Sequence, residues 1–261
     1  MKKYKLVCFD LDGTLAPSKQ KIDREMAKLI NKLLEKYYVA VVTWGWRERF
    51  KMQFFDRITH DETLLSKFIP CPTWWARMYK YINWYWNKLY SIEIPDEDKI
   101  QILNWMNDVL DIFNLRPEKT WWNLIEDRWS QITFSALGQE APLKAKLAWD
   151  PDFKKRALIK AEMEKRLPNY SVNAWWSTSI DITLKWIDKA FCIKKMTEYF
   201  PVKINEILFI WDAVFPWWND YSPLKIWVDS IKSDWVKHTK EIIKRLIEND
   251  SVDKSWLYCE W

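Results

Sequence analysis

Glycine is nearly missing from this chain. Its 261 residues include three, Gly13, Gly45 and Gly138, where average usage would supply about eighteen. Tight turns with positive φ must therefore find another residue. Histidine is as scarce, with only His60 and His238. The cysteines Cys8, Cys71, Cys192 and Cys259 stand far apart, with no CxxC pair. These two absences exclude a zinc-finger site and a disulfide framework. Burial as small hydrophobes is expected of the first three cysteines, and Cys259 reads as an exposed tail thiol. Long apolar runs are absent too: VAVVTW and EILFIW are too short to span a bilayer, and MKKYKLVCFDLDG has no signal-peptide core. The expected location is cytoplasmic, with no membrane partner. Charge of one sign is not concentrated anywhere, because 41 basic and 36 acidic residues mix to a net +5. That mixing argues against nucleic acid as a partner.

What the chain has in excess is tryptophan, 21 residues. Many fall at turn positions: Trp44 and Trp46 after a strand-like run, Trp75 after CPT, Trp129 in EDRWSQ, Trp175 and Trp176 in NAWWSTS, and Trp186 before IDKA. We read most of them as positions where the organism carries glycine, as when a UGA codon reassigned to glycine is translated under a code that reads it as tryptophan. Trp86, Trp121 and Trp149 sit in element-like contexts and are expected to be genuine. The aromatic content is then no stacking platform for nucleic acid.

Strand and helix patterns alternate at both ends. KLVCF is a short apolar run of the buried parallel type, and Lys21 to Lys36 follows with a helical apolar stripe. YVAVVT predicts a second strand and Arg47 to Ile58 a second helix. Towards the other end, IDKAFCIKKMTEYF predicts a helix, EILFI and LKIWVD strands, and HTKEIIKRLIEND a closing amphipathic helix. This order predicts an α/β fold with a parallel sheet. The middle differs: RMYKYI, LYSIEI, SQITFSA, YSVNA and SIDITL read as antiparallel strands, with helices over Asp96 to Leu115 and Asp152 to Arg166. It is expected to be an inserted α+β module over 84–184, between core halves 1–83 and 185–250, with 251–261 as a tail.

The chemistry-bearing stretch is FDLDGTL. Asp10 and Asp12 end the first strand, where open α/β sheets bind ligands, and their spacing points both carboxylates one way. Paired acids repel unless a cation or a shared proton relieves them. A turn that merely ends a strand is the alternative.

Further motifs follow in order: Thr43 ending VAVVT, Lys189 in WIDKA, and Asp212 with Asn219 and Asp220 in WDAVFPWWND. Together they make the chain resemble the haloacid dehalogenase superfamily, whose first motif is DxDGT. With glycine at 211, 217 and 218 the last segment would read GDAVFPGGNDY. That is similar to the subfamily with a type C2 cap, which contains phosphomannomutases and sugar-phosphate phosphatases. The resemblance implies a Rossmann-like core, a Mg²⁺ cofactor and an aspartyl-phosphate reaction. It makes Asp10 the nucleophile and Asp12 the general acid and base. Mg²⁺ would be held by the Asp10 carboxylate, the Asp12 carbonyl and Asp212. Asp220 would support the metal, and Asn219 would do the same or orient Lys189. Thr43 and Lys189 would bind the phosphoryl oxygens.

The substrate implied is a phosphorylated sugar or similar metabolite, with a phosphatase favoured over a phosphomannomutase. A third reading is an inactive binding protein if the tryptophans are literal. Substrate contacts implied by the resemblance are Lys19, Arg128, Ser179 and Asp181. Arg128 could equally be a surface ion pair with Glu126 or Asp127. Trp121 and Gln139 stand where the mutase pattern has cap arginines, which weakens the mutase reading. The sequence leaves oligomeric state open, with a homodimer as one option.

Overall fold

The computed structural model describes residues 3–43, 47–73, 75–175, 178–212, 223–249 and 257, with no side-chain description at 47–49 and 175. Asn219 and Asp220, like Trp44, Trp46, Trp176, Trp217, Trp218 and Cys259, lie outside that set. The chain divides into two compact units, Met1–Ser91 with Ile187–Trp261, and Ile92–Trp186.

The first unit is built on strand β1 (Leu6–Asp10), helix α1 (Arg24–Lys36), β2 (Tyr38–Val42), α2 (Arg47–Gln53), α3 (Glu62–Leu65), β3 (Phe68–Cys71), and the hairpin β4 (Arg77–Ile82) and β5 (Tyr85–Ser91). The second unit opens with α4 (Asp96–Ile112). It continues with β6 (Ile125–Asp127), β7 (Gln131–Ser135), α5 (Leu143–Trp149), α6 (Lys154–Arg166), β8 (Tyr170–Trp175) and β9 (Ser179–Leu184). The chain then returns to the first unit with α7 (Lys189–Tyr199), β10 (Ile207–Trp211), β11 (Asp229–Lys232) and α8 (Val236–Asn249). The hairpin, whose second strand falls within the expected insertion from 84, belongs to the first unit.

Five strands form one parallel sheet in the order β11-β10-β1-β2-β3. From β1 the chain runs outward on one side to β2 and β3, then returns to β10 on the other. That reversal is the crevice-forming switch point of an open α/β sheet. Both β1, LVCFD, and β10, ILFIW, are buried throughout, which is why they read as unbroken apolar runs. Helix α1 starts where Asp23 accepts the Met26 N–H at 2.8 Å, a side-chain N-cap. Its buried stripe of Met26, Leu29, Ile30, Leu33 and Leu34 shares a core with Ile242, Ile243 and Leu246 of α8. Lys240 reaches Asp23 and Glu25 from the same helix, at 2.6 and 2.8 Å.

Two expectations change, and one strand was not expected. The second helix ends at Gln53, and a separate 3₁₀ turn follows at Phe55–Arg57. LKIWVD is a 3₁₀ turn, Leu224–Ile226, that ends on left-handed Trp227, so the strand begins only at Asp229. FIPC is a strand that composition hides. Its Pro70 is tolerated because β3 lies at the sheet edge.

The second unit is a four-stranded antiparallel sheet, β6-β7-β9-β8. One face carries Ile132, Phe134, Ile180, Ile182 and Val172, which pack with Ile102, Met106 and Val109 of α4 and Ile159 and Met163 of α6.

Backbone conformation bears on the tryptophans directly. Among the described residues nine that are not glycine have positive φ, and four of them are tryptophan: Trp75 (60°), Trp84 (68°), Trp129 (63°) and Trp227 (62°). A bulky residue there is a genuine outlier. Asn83 and Trp84 form the two-residue turn of the β4–β5 hairpin, with both φ positive and Ile82 paired to Tyr85. Such a turn normally reads Asn-Gly. Trp227 caps its 3₁₀ turn in the left-handed conformation, a position that glycine dominates. By contrast, Trp86 packs edge-on against Phe55 and Tyr81. Trp149 lies in α5 against Phe134. Trp211 is a fully buried residue of β10, stacked on Phe209, so its backbone does not ask for glycine.

Candidate active site

The carboxyl ends of the central strands gather the acids. Asp10 is the last residue of β1, opposite Val42 of β2, and its side chain is buried. Lys189 is the first residue of α7, after Asp188 caps that helix by accepting the Phe191 N–H at 2.7 Å. An ammonium at a helix N-terminus opposes the macrodipole, and an ordinary surface lysine there would turn outward. This one is 1 % exposed, and its Nζ donates to Asp10 Oδ1 at 2.9 Å. The rings of Phe209 and Trp75 flank the ammonium, with centroids 5.4 and 5.6 Å away.

Burial pushes the Asp10 carboxyl up to about 6 against the pull of Lys189, and the neighbouring acids Asp212 and Asp12 push the same way. Asp212 follows β10 directly. Its carboxyl is also raised, by burial first and by Asp12 among its neighbours, while its own backbone bond, Lys189 and Thr14 oppose the rise. Among the described residues, Asp10, Asp12 and Asp212 therefore share one neighbourhood with the Lys189 ammonium.

The loop after β1 is shaped to reach Asp212. Gly13 has φ +87°, and a Cβ there would lie 2.0 Å from Asp212 Oδ2. Only glycine allows the backbone so close. The turn is closed by the Gly13 N–H to Ala16 O at 2.7 Å and by the Leu15 and Ala16 N–H groups on Leu11 O. Thr14 Oγ1 donates to Asp212 Oδ1 at 3.3 Å. Asp12 is half-buried, and its Oδ1 accepts the Lys19 backbone N–H at 2.6 Å. Lys19 thus meets the site through its main chain, at φ 61°, and the residue is exposed.

Thr43 follows β2, one residue past the partner of Asp10. It is buried, and its N–H donates to Cys71 O at 3.1 Å. The structure thus brings Asp10, Asp12, Asp212 and Lys189 together and sets Thr43 on the adjoining strand end. Gly13 and Thr14 belong to the same site. Sequence reasoning used them only as part of the DGT signature, although the motif itself was the signal.

The donor set suits a hard cation. Two carboxylates, Asp10 and Asp212, and the main-chain oxygens of the loop between them are all oxygen, the type that Mg²⁺ selects. Among the described residues no group of three or more His, Cys, Asp or Glu side chains could hold a metal ion. A set of two carboxylates and a carbonyl falls below that count and remains compatible with the loop.

The remaining candidates lie in the second unit. Arg128 is engaged with Glu126 Oε2, through Nη2 at 2.6 Å and Nε at 3.1 Å. This is the ion pair that its sequence context allowed. Ser179 opens β9 opposite Ser135. Asp181 is buried, accepts from Thr133 Oγ1 at 2.7 Å, and is pushed up to about 6 by burial against Thr133 and Arg128. Gln139 presents its backbone oxygen to Lys146 Nζ at 2.7 Å.

No family model matches the chain, and no curated protein matches it significantly. Solved structures do. An IMP-bound IMP-nucleotidase from Plasmodium falciparum aligns with TM-score 0.62 and 17% identity, over 94% of this chain and 68% of that one. A haloacid dehalogenase-like hydrolase from Bacteroides thetaiotaomicron aligns with TM-score 0.64 and 14% identity, over 94% of this chain and 100% of that one. Trehalose-6-phosphate phosphatase from Aspergillus fumigatus aligns with TM-score 0.54 and 13% identity, over 95% of this chain and 94% of that one. At these identities the likeness establishes the fold: a Rossmann-like core of the haloacid dehalogenase type with an inserted α+β unit. No helix among the described residues is long and apolar enough to cross a membrane.

Proposed function

We propose that the chain is a Mg²⁺-dependent phosphatase that cleaves a phosphorylated sugar or similar metabolite through an aspartyl-phosphate on Asp10. The observation that carries this reading is the buried 2.9 Å contact between Lys189 Nζ and Asp10 Oδ1 at the switch point of the sheet. A carboxylate buried beside other acids and kept by one cation is poised for use as a nucleophile. Solved structures of the same fold named as a nucleotidase and as a sugar-phosphate phosphatase support phosphate-ester cleavage.

In the first step an Asp10 carboxylate oxygen attacks phosphorus and the bond from phosphorus to the substrate oxygen breaks. Asp12 gives that leaving oxygen its proton. Its own orientation is held by the Lys19 N–H. In the second step water attacks phosphorus, Asp12 takes the proton from that water, and the Asp10–phosphorus bond breaks to release phosphate. Lys189 and the Thr43 hydroxyl bind the phosphoryl oxygens, whose charge spreads during transfer. Mg²⁺ held by Asp10, Asp212 and a main-chain oxygen at Asp12, with Asp220 and Asn219 in support, would neutralise the acids and the phosphate. Thr14 and Gly13 fix the Asp212 carboxyl against the loop.

The test is release of phosphate from p-nitrophenyl phosphate with Mg²⁺, comparing the wild type with Asp10→Asn and Asp12→Asn. Loss of turnover in both supports the assignment. Turnover retained by Asp10→Asn overturns it.

A further inference from the structure

Strand register separates the two faces of the parallel sheet in the first unit. Asp10 stands in register with Val42 and Cys71, and Phe9, one residue earlier, with Val41 and Pro70. Successive side chains of a strand point to opposite faces, so Pro70 lies on the face away from Asp10. There Pro70, Pro72, Phe50, Phe55, Tyr79 and Trp86 line a cleft of about 180 Å³. All six belong to the first unit. A space of that order holds one benzene-sized ring, and apolar walls give water few partners.

The walls favour a planar ring. Phe55 and Trp86 meet at 82° with centroids 5.2 Å apart, so they form a corner rather than a stack. Phe68 and Tyr81 also meet Trp86 edge-on, at 6.0 and 5.1 Å. Phe50 stacks on Phe54 and Phe68, at 5.6 and 6.3 Å. These contacts fix the rings before any ligand arrives, which lowers the ordering cost of binding. A third ring seated in the corner meets one face and one edge, the arrangements that aromatic pairs prefer. The charge beside the cleft is positive. Lys51 lines it, and the exposed Lys51 Nζ lies 3.7 Å from Asp56, an ion pair of the weak surface type. Lys88 stands directly opposite Tyr79 on β5, with no carboxylate partner among the described residues. Among the described residues no acid lines the cleft. Two ammonium groups beside aromatic walls select a ring that carries a negative charge.

We propose that this cleft is a second ligand site, separate from Asp10, and that it binds a small aromatic anion with a single ring. The probe is 4-fluorobenzoate, followed by its fluorine NMR signal as it is titrated into the full chain, with 4-fluorobenzyl alcohol as the neutral ring and 4-fluorobenzylamine as the cation. A Kd of about 1 mM is the scale for a ligand of about ten heavy atoms. The benzoate should bind about fivefold more tightly than the alcohol, and the amine more weakly than both. Lys51→Met/Lys88→Met should remove that preference and keep the affinity for the alcohol. Trp86→Leu should weaken both about tenfold. Should Trp86→Leu lose its fold by circular dichroism, Phe55→Leu reads the same corner. Saturating inorganic phosphate with Mg²⁺ should leave the benzoate affinity unchanged, whether or not the chain cleaves phosphate esters. Absence of saturable binding at about ten times the expected Kd overturns the proposal. So does equal affinity for the acid and the amine, displacement by phosphate, or unchanged affinity in a folded Trp86→Leu or Phe55→Leu. Self-association in sedimentation that the benzoate reverses would give the cleft to a second copy of the chain, and would overturn it too.

Discussion

Lys189 Nζ and Asp10 Oδ1 meet at 2.9 Å although 179 residues separate them in sequence. The contact crosses from the first residue of α7 to the last residue of β1, so it joins the two sequence-distant halves of the first unit. It also sets the electrostatics of the site, because Lys189 opposes burial and two acidic neighbours at Asp10.

Replacing Lys189 by Met should leave Asp10 buried beside Asp212 and Asp12 without the ammonium that opposes them. Breaking a buried pair from one side costs about 3–5 kcal/mol. The loss should be largest near pH 8 and shrink towards pH 5, because Asp10, already raised to about 6 with Lys189 beside it, rises further without that ammonium and takes up a proton, so the uncompensated charge disappears. The double variant Lys189→Met/Asp10→Asn should recover most of the stability. Urea unfolding at the two pH values reads the difference, and strict additivity of the two single effects would contradict the coupling.

Gly13→Ala should fail at the site more than in the core. Its Cβ would stand 2.0 Å from Asp212 Oδ2 at a φ of +87°, so either the loop or the Asp212 carboxyl must move. Displacement of catalytic groups by about 1 Å can reduce turnover a hundredfold. Pairing it with Asp212→Ala removes the steric conflict but retains the backbone strain, roughly 1–2 kcal/mol for a left-handed residue other than glycine. Thermal unfolding should show the double variant more stable than Gly13→Ala alone.

The left-handed tryptophans lead to a prediction of opposite sign. Trp84, Trp129 and Trp227 are 69, 41 and 88 % exposed, so replacing them with glycine removes little buried surface. Each change relieves about 1 kcal/mol or more of backbone strain. The triple variant should gain about 3–6 kcal/mol, at about 1–2 kcal/mol for each left-handed residue. Trp75 is different, because it is 1 % exposed and truncation there removes packing as well as strain. If these positions are glycine in the organism, the gene carries UGA at codons 84, 129 and 227. Sequencing it and finding UGG would end that explanation.

Much of this was legible because the relevant signals are local. Buried parallel strands announce themselves as apolar runs, and DxDGT compresses a turn and two acids into five residues. What stayed hidden depends on placement. FIPC carries no period, and its proline argues against a strand unless one knows that it lies on an edge. The start of β11 was misread because Trp227 looks like a strand residue and behaves as a left-handed cap. The segment Leu143–Trp149 lacks a capping side chain, so α5 gave no start signal. For Arg128 the engaged partner, Glu126, stands two residues away, yet spacing alone could not choose between an ion pair and a substrate contact. The chain of hydrogen bonds from Gln131 through Thr133 to Asp181 needs the β7–β9 register, which no single stretch contains.

Asp181 supplies a stability test that is independent of catalysis. Burial raises its carboxyl from 3.8 to about 6 in the folded chain, so between those values the native state holds more protons than the unfolded state. Stability must then fall as pH rises through that window. The ionised form above pH 6 is disfavoured by about 3 kcal/mol at most, from about 1.4 kcal/mol per unit of pKa. Asp181→Asn keeps a carbonyl oxygen to accept from Thr133 and removes the charge. It should therefore be more stable than the wild type at pH 7.5 by about 1–3 kcal/mol and nearly equal to it at pH 4. Asp10, raised by its own surroundings, titrates in both proteins and cancels in the difference. Chemical unfolding of the two proteins across pH 4 to 7.5 measures that difference, and a flat difference curve would show that Asp181 is ionised at no cost.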